Sequence, residues 1–195
     1  MTIQSSQRGV TLLELMITIA IVAILIAIAV PGMQDISRRS KQRNAIGDMS
    51  SMLARARSEA ATRYKPITIC ASTGGSVCDN STAWGRGWLM FVDDGSGGGT
   101  VNDKQRQTGE EIIKVGASVP APDTIVALNF STGSGNAITF LGGGLLESTT
   151  GGVLRYCSYS GSAGTMQAVT VNASGQVRYA SDGKSSDGTA ITACP

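Results

Sequence analysis

The run VTLLELMITIAIVAILIAIAV, Val10–Val30, decides how the rest of the chain is read. Glu14 is its one charged residue, and from Leu15 to Val30 only Thr18 is polar. As a helix rising ~1.5 Å per residue it is about 31 Å long, enough to cross the hydrocarbon core of a bilayer. A helix apolar on every face must be covered by lipid or protein. The nine residues before it, Met1–Gly9, are polar, with Arg8 the single basic residue. They have no apolar centre and no A-x-A site, so they are not an ordinary secretory signal.

Beyond the run, Pro31 and Gly32 are expected to kink or loosen the helix. Helical spacing then resumes at Ile46, Met49, Met52, Leu53, Ala56 and Ala60. This predicts an amphipathic helix to about Tyr64, ended by Pro66, with one apolar stripe packed on its own domain. After Pro66 the pattern changes to short β-rich runs separated by Gly, Ser, Asn and Asp turns. The predicted strands are Ile67–Cys70, Trp88–Val92, Glu111–Val115, Ile125–Phe130, Ala137–Leu141, Val153–Tyr159, Ala168–Asn172, Gln176–Ala180 and Thr189–Ala193. The fold class is therefore α+β, a long N-terminal helix followed by antiparallel sheet packed on its amphipathic half. The expected segments are 1–9, 10–30, 31–65 and 66–195: a leader, an apolar helix, an amphipathic helix and a β-rich domain.

Composition argues against an enzyme. Only 15% of residues are charged and there is no His, the commonest general base and metal ligand. No catalytic polar cluster is visible, and no cofactor or metal site is expected. Asp93-Asp94-Gly95-Ser96-Gly97 looks like a calcium loop at a glance but lacks the spaced acids and closing Glu. The Gly-rich 95–99 stretch has no Lys-Ser/Thr and no following helix, so it is no phosphate loop. Charge is unevenly placed: Met33–Lys65 holds eight basic residues against three acidic, and the chain from Pro66 holds seven against ten. Basic residues beside a membrane run can meet anionic headgroups, or can simply be solvated.

The four cysteines include no C-x-x-C pair, so disulfides in an oxidising compartment are the better reading. Four cysteines allow three pairings. The expected pairs are Cys70–Cys78, across a Gly/Ser-rich turn, and Cys157–Cys194, which would tie the C-terminus to an interior strand.

Gly9-Val10-Thr11-Leu12-Leu13-Glu14-Leu15, behind a short basic leader, resembles the cleavage and anchoring motif of type IV prepilins and pseudopilins. The resemblance implies that a membrane peptidase cuts after Gly9 and methylates Val10, which stands where the family usually has Phe. Glu14 becomes the fifth mature residue and Pro31 the twenty-second. A lone carboxylate in an apolar helix is costly without a partner. The resemblance supplies one: the free α-amino group of a neighbouring subunit's Val10. Arg57-Ser58-Glu59-Ala60, Ile67–Cys70, Trp84–Asp93 and Glu110–Val115 are similar to the globular domain shared by GspH pseudopilins and the FimU and FimT minor pilins.

The resemblance implies a minor pilin that helps start assembly at the tip of a type IV pilus. A GspH-type pseudopilin of a type II secretion system and a FimT-like DNA receptor are the alternatives. The implied partners are other minor and major pilin subunits, the prepilin peptidase and inner-membrane lipid. The implied location is the bacterial inner membrane, single-pass with the C-terminal domain periplasmic, before incorporation into a surface pilus. Counting positive charges alone would reverse that orientation; the leader and the paired cysteines favour it. For DNA the candidates are Arg155, Arg178 and Lys184. Gly175-Gln176-Val177-Arg178 lies where FimT-like receptors carry Gly-Arg-x-Arg, and Gln176 replaces a cation. Weak or absent duplex binding is the expectation.

Overall fold

The computed structural model describes residues 9–130, 136–158 and 166–180, apart from the side chains of 29–35 and 38. The chain divides into two compact units, Met1–Lys41 and Gln42–Pro195. One helix, α1 (Leu12–Arg63), contributes to both, and its helical backbone continues through Pro31 and Gly32. In the first unit the described side chains of α1 are exposed throughout, from Leu12 at 79% to Ile28 at 71%. Among the described residues no helix is long and apolar enough to cross a membrane.

In the second unit the apolar stripe of α1 is the spine of the core. Ile46, Met49, Met52, Leu53, Ala56 and Ala60 are all buried, the last three completely. Positions three and four apart share one helical face, so this spacing presents a continuous apolar surface. Arg63 closes the helix and Tyr64 takes a positive φ of 53°, two residues before Pro66.

Among the described residues eight strands follow: β1 (Ile67–Ala71), β2 (Trp88–Val92), β3 (Ile112–Gly116), β4 (Thr124–Leu128), β5 (Ile138–Phe140), β6 (Gly152–Cys157), β7 (Gln167–Val171) and β8 (Val177–Ala180). They form two four-stranded antiparallel sheets, β3-β2-β1-β5 and β4-β6-β7-β8, where the sequence suggested antiparallel sheet without division. The division has a physical reason. Alternating apolar residues mark a strand and its buried face, but pairing is decided by which edges meet across long connections. Here β5 returns to the free edge of β1, with Ile69 opposite Ile138, and leaves β4 to pair with β6. The expected strand at Thr189–Ala193 lies outside the described residues.

Both sheets turn one face to the stripe on α1. Ile67, Ile69, Met90, Val92, Ile138 and Phe140 come from the first, and Ile125, Ala127, Leu154, Tyr156, Val169 and Val171 from the second. The opposite face of the first sheet is also covered. Cys70, Leu89, Phe91 and Ala137 form a second buried cluster, with Cys78 packed against it. The Cys70–Cys78 disulfide holds this cover in place. Trp88–Val92 is thus a strand covered on both sides, which explains its unbroken apolar run.

Candidate functional site

The first candidate is the start of α1. Thr11 sits just before the helix, and its Oγ1 accepts a hydrogen bond from the Glu14 backbone N–H at 3.3 Å. The Leu15 N–H donates to the Thr11 carbonyl at 3.1 Å. Thr11-x-x-Glu14 is one half of a capping box, with an acid in the first helical turn where the helix dipole favours it. The sequence reading missed the role of Thr11, although a Thr three residues before Glu at the head of an apolar run is its signature. Capping the backbone leaves the Glu14 carboxylate unused: among the described residues it has no partner within the chain. Around it Val10, Leu12, Leu13, Leu15 and Met16 are more than half exposed. This end of the helix thus carries one unpaired acid on an otherwise uncovered apolar rod. Gly9 precedes it with open space around its α-carbon.

The second candidate is the set of possible DNA contacts, and the structure does not bring it together as an accessible basic surface. Arg155 lies in the middle of β6 at 4% exposure, and burial pulls its guanidinium pKa below the ordinary value. Arg178 is exposed on β8, and its Nη2 lies 3.5 Å from Gln176 Oε1. Lys184 lies outside the described residues. Gly175 has a structural duty: at φ 76° it turns the β7–β8 hairpin, and a Cβ there would run into the Gly144 carbonyl and the Arg57 side chain. The same carbonyl accepts from Arg57 Nε at 3.1 Å, a contact that the sequence did not disclose.

The Asp93–Gly97 segment holds its acids with donors from the chain. Asp93 is completely buried and accepts from the Thr68 hydroxyl at 2.7 Å and the backbone N–H groups of Lys104 and Asp103 at 3.0 and 3.2 Å. Asp94 pairs with Lys65 Nζ at 2.6 Å, which holds its pKa down at about 2. Glu110, also buried, accepts from the N–H groups of Gln107 and Gly95 at 2.9 and 3.0 Å. This constellation pins the long 93–110 loop over the sheet. Among the described cysteines, Cys70–Cys78 pairs as expected and Cys157 is not free; Cys194 lies outside the described residues.

A family profile described as type II transport protein GspH matches residues 45–175. A second, described as a prokaryotic N-terminal methylation motif, matches residues 4–30. A fimbrial protein of Pseudomonas aeruginosa is 43% identical over 53 residues, 27% of this chain and 34% of that protein. The type IV major pilin protein PilE1 of Neisseria gonorrhoeae is 47% identical over 58 residues, 30% of this chain and 32% of that protein. The chain thus matches about a third of the length of these curated relatives. The crystal structure of the type IV minor pilin FimU of Pseudomonas aeruginosa superposes with a TM-score of 0.56 at 18% identity, covering 80% of this chain and 99% of that one. The fold is shared, and the motif together with the family implies a membrane-anchored pilin-like subunit. With the GspH profile spanning most of its length behind an N-terminal methylation motif, this chain belongs to the GspH family of type IV pilin-like proteins, which are structural subunits and not enzymes.

Proposed function

We propose that this chain is a minor pilin that helps start assembly at the tip of a type IV pilus. The observation that carries the proposal is the head of α1, where Glu14 has no partner among the described residues and the surrounding apolar side chains are exposed. A buried carboxylate needs a cation, and an uncovered apolar helix needs other helices or lipid. Cleavage after Gly9 creates an α-amino group on Val10. In a filament that group, on a neighbouring copy of the same helix type, supplies the cation and sets the axial register. Before assembly the helix holds the subunit in the inner membrane as a single pass, with the Cys70–Cys78 domain in the periplasm. The prepilin peptidase, which cuts and methylates, and other minor and major pilins are its partners.

The test uses two variants in the native cell. Gly9 replaced by a bulky residue is expected to leave uncut precursor in the inner membrane. Glu14→Ala is expected to be cut normally and to fail in assembly. A mature N-terminus at Val10 in the first variant would refute the peptidase assignment. Normal pilus number in the second would refute the register role.

The match of residues 45–175 to the GspH profile favours a second reading, a pseudopilin of a type II secretion system. Deleting the gene separates the two: loss of surface pili supports the first, and loss of protein secretion with pili intact supports the second.

A further inference from the structure

We propose that residues 181–195 dock across the face of the second sheet turned away from α1, and that Asp182 or Asp187 pairs there with Arg155. The inference is independent of the pilus reading above. Its first ground is burial where a sheet would ordinarily meet water. Residues opposite one another on paired strands share a face. The row Ala127–Leu154–Val169 faces the stripe on α1. The next row, Val126–Arg155–Ala168–Ala180, crosses all four strands and therefore lies on the outer face. Arg155, Ala168 and Ala180 are nonetheless only 4%, 1% and 6% exposed. Cys157 and Thr170, on the same face, are buried too. Cys157, Ala168 and Ala180 belong to neither of the apolar clusters described above. A face that sets Arg and Thr among alanines has the composition of a solvated side, yet it is covered.

The second ground is covalent. Cys157 is disulfide-bonded, and the Cys70–Cys78 bridge uses two of the chain's four cysteines. Cys194 is the one that remains. Cys157 stands two residues from Arg155 on the same strand, so its Sγ is on the outer face and Cys194 reaches it from that side. A bridge of this kind brings two Cα atoms to about 5.5–6 Å. The segment is thus held at both ends, by Ala180 on β8 and by Cys157 on β6. Those strands lie two spacings of ~4.8 Å apart. Residues 181–193 between the two ends reach up to about 45 Å when extended, ample to cross this face.

The third ground is charge. A buried guanidinium needs a partner, and Arg155 is not without one. Glu59, Glu111, Asp94 and Glu147 are taken by other cations, and Asp123 by the Tyr156 hydroxyl. Outside the described residues, 131–135 and 159–165 contain no acid, whereas 181–195 carries Asp182 and Asp187. The segment that ends at Cys194 is therefore also the one that brings a carboxylate to Arg155. Docked in this way it closes the sheet, so a partner approaching that face meets residues 181–195 and not Arg155.

The experiment treats the full-length chain in detergent micelles with phenylglyoxal, which modifies accessible guanidinium groups, and reads each arginine by mass spectrometry. In the wild type Arg155 is expected to stay protected while exposed Arg178 is modified. A chain ending at Ala180 is expected to lose that protection while buried Trp84 keeps its native fluorescence. Modification of Arg155 in the wild type overturns the docking. So does protection that persists in the folded, shortened chain, because another segment then supplies the cover. If the shortened chain loses the native fluorescence, a double-mutant cycle on full-length chains decides instead. Arg155→Met and Asp182→Asn/Asp187→Asn are expected to be coupled by about tenfold or more in the unfolding constant. Effects that simply multiply overturn the pairing with Arg155.

Discussion

Asp93 shows how a carboxylate can be both well bonded and unfavourably placed. Burial raises its pKa, and the hydrogen bonds from Thr68 and the Lys104 N–H only partly offset that. Glu110 is shifted in the same direction, again chiefly by burial. A raised folded-state pKa means that the folded chain binds the proton more tightly than the unfolded one. Stability from these two groups therefore rises as pH falls from neutral towards the ordinary carboxylate range. Asp94 behaves oppositely: held at about 2, it contributes above its ordinary pKa of 3.8, and that contribution fades as pH drops through about 2. Two results are expected from denaturant unfolding of the domain. Asp93→Ala should cost about 2–3 kcal/mol at neutral pH, because buried donors lose their acceptor. The stability of the wild type relative to Asp93→Asn should increase as pH falls from 7 towards 4. A difference that stays flat with pH would show that Asp93 does not titrate as its burial implies.

Between elements, a close fit is that of β2 on β3. Trp88 lies opposite Gly116, and a Cβ built on Gly116 would overlap the indole ring. Lys114 Nζ lies 5.7 Å from the centre of the same ring, within cation–π range. Gly116 is therefore required by the neighbouring ring, since its φ is not positive. Gly116→Ala should destabilise the domain by about 1–3 kcal/mol through overpacking. In a Trp88→Ala background most of that cost should vanish, because the ring that caused it is gone. Additive losses in the double variant would locate the strain elsewhere. The turn from Cys70 to Cys78 is a second such fit, and cutting it loose with Cys70→Ser should cost about 2 kcal/mol and expose the Leu89–Phe91 cluster. Peptide mapping without reductant is expected to find Cys157 joined to Cys194; Cys157 linked to Cys70 would overturn that pairing.

At the scale of the whole molecule, charge decides between the pilus readings and DNA reception. Phosphate binding accumulates from several accessible cations, each adding nearly one unit of salt slope. Arg155 is buried, Arg178 stands exposed beside a neutral Gln176, and the chain beyond Pro66 has more acids than bases. The soluble portion from about Arg38 onward, titrated with duplex DNA at several salt concentrations, is expected to bind more weakly than micromolar and with a shallow slope. Micromolar or tighter binding with a steep slope that falls in Arg178→Ala would establish the receptor reading instead.

Much of this architecture could be read from residue order, because it depends on local physics. A long apolar run satisfies its backbone away from water as a helix, so Val10–Val30 announced the helical start of α1. The three- and four-residue spacing of Ile46 to Ala60 defined the buried stripe, and all six residues are buried. The Cys70–Cys78 pairing was legible because a short Gly/Ser turn brings its ends together at little entropic cost. Tertiary structure decided what depends on distant edges meeting. It split the strands into two sheets, placed Arg155 inside and Arg178 outside, and turned Asp93 and Glu110 into clasps of the 93–110 loop. Single positions carry no record of such choices: a strand's pattern marks its apolar face, while its partner, and hence the surroundings of each charge, is set by long-range pairing.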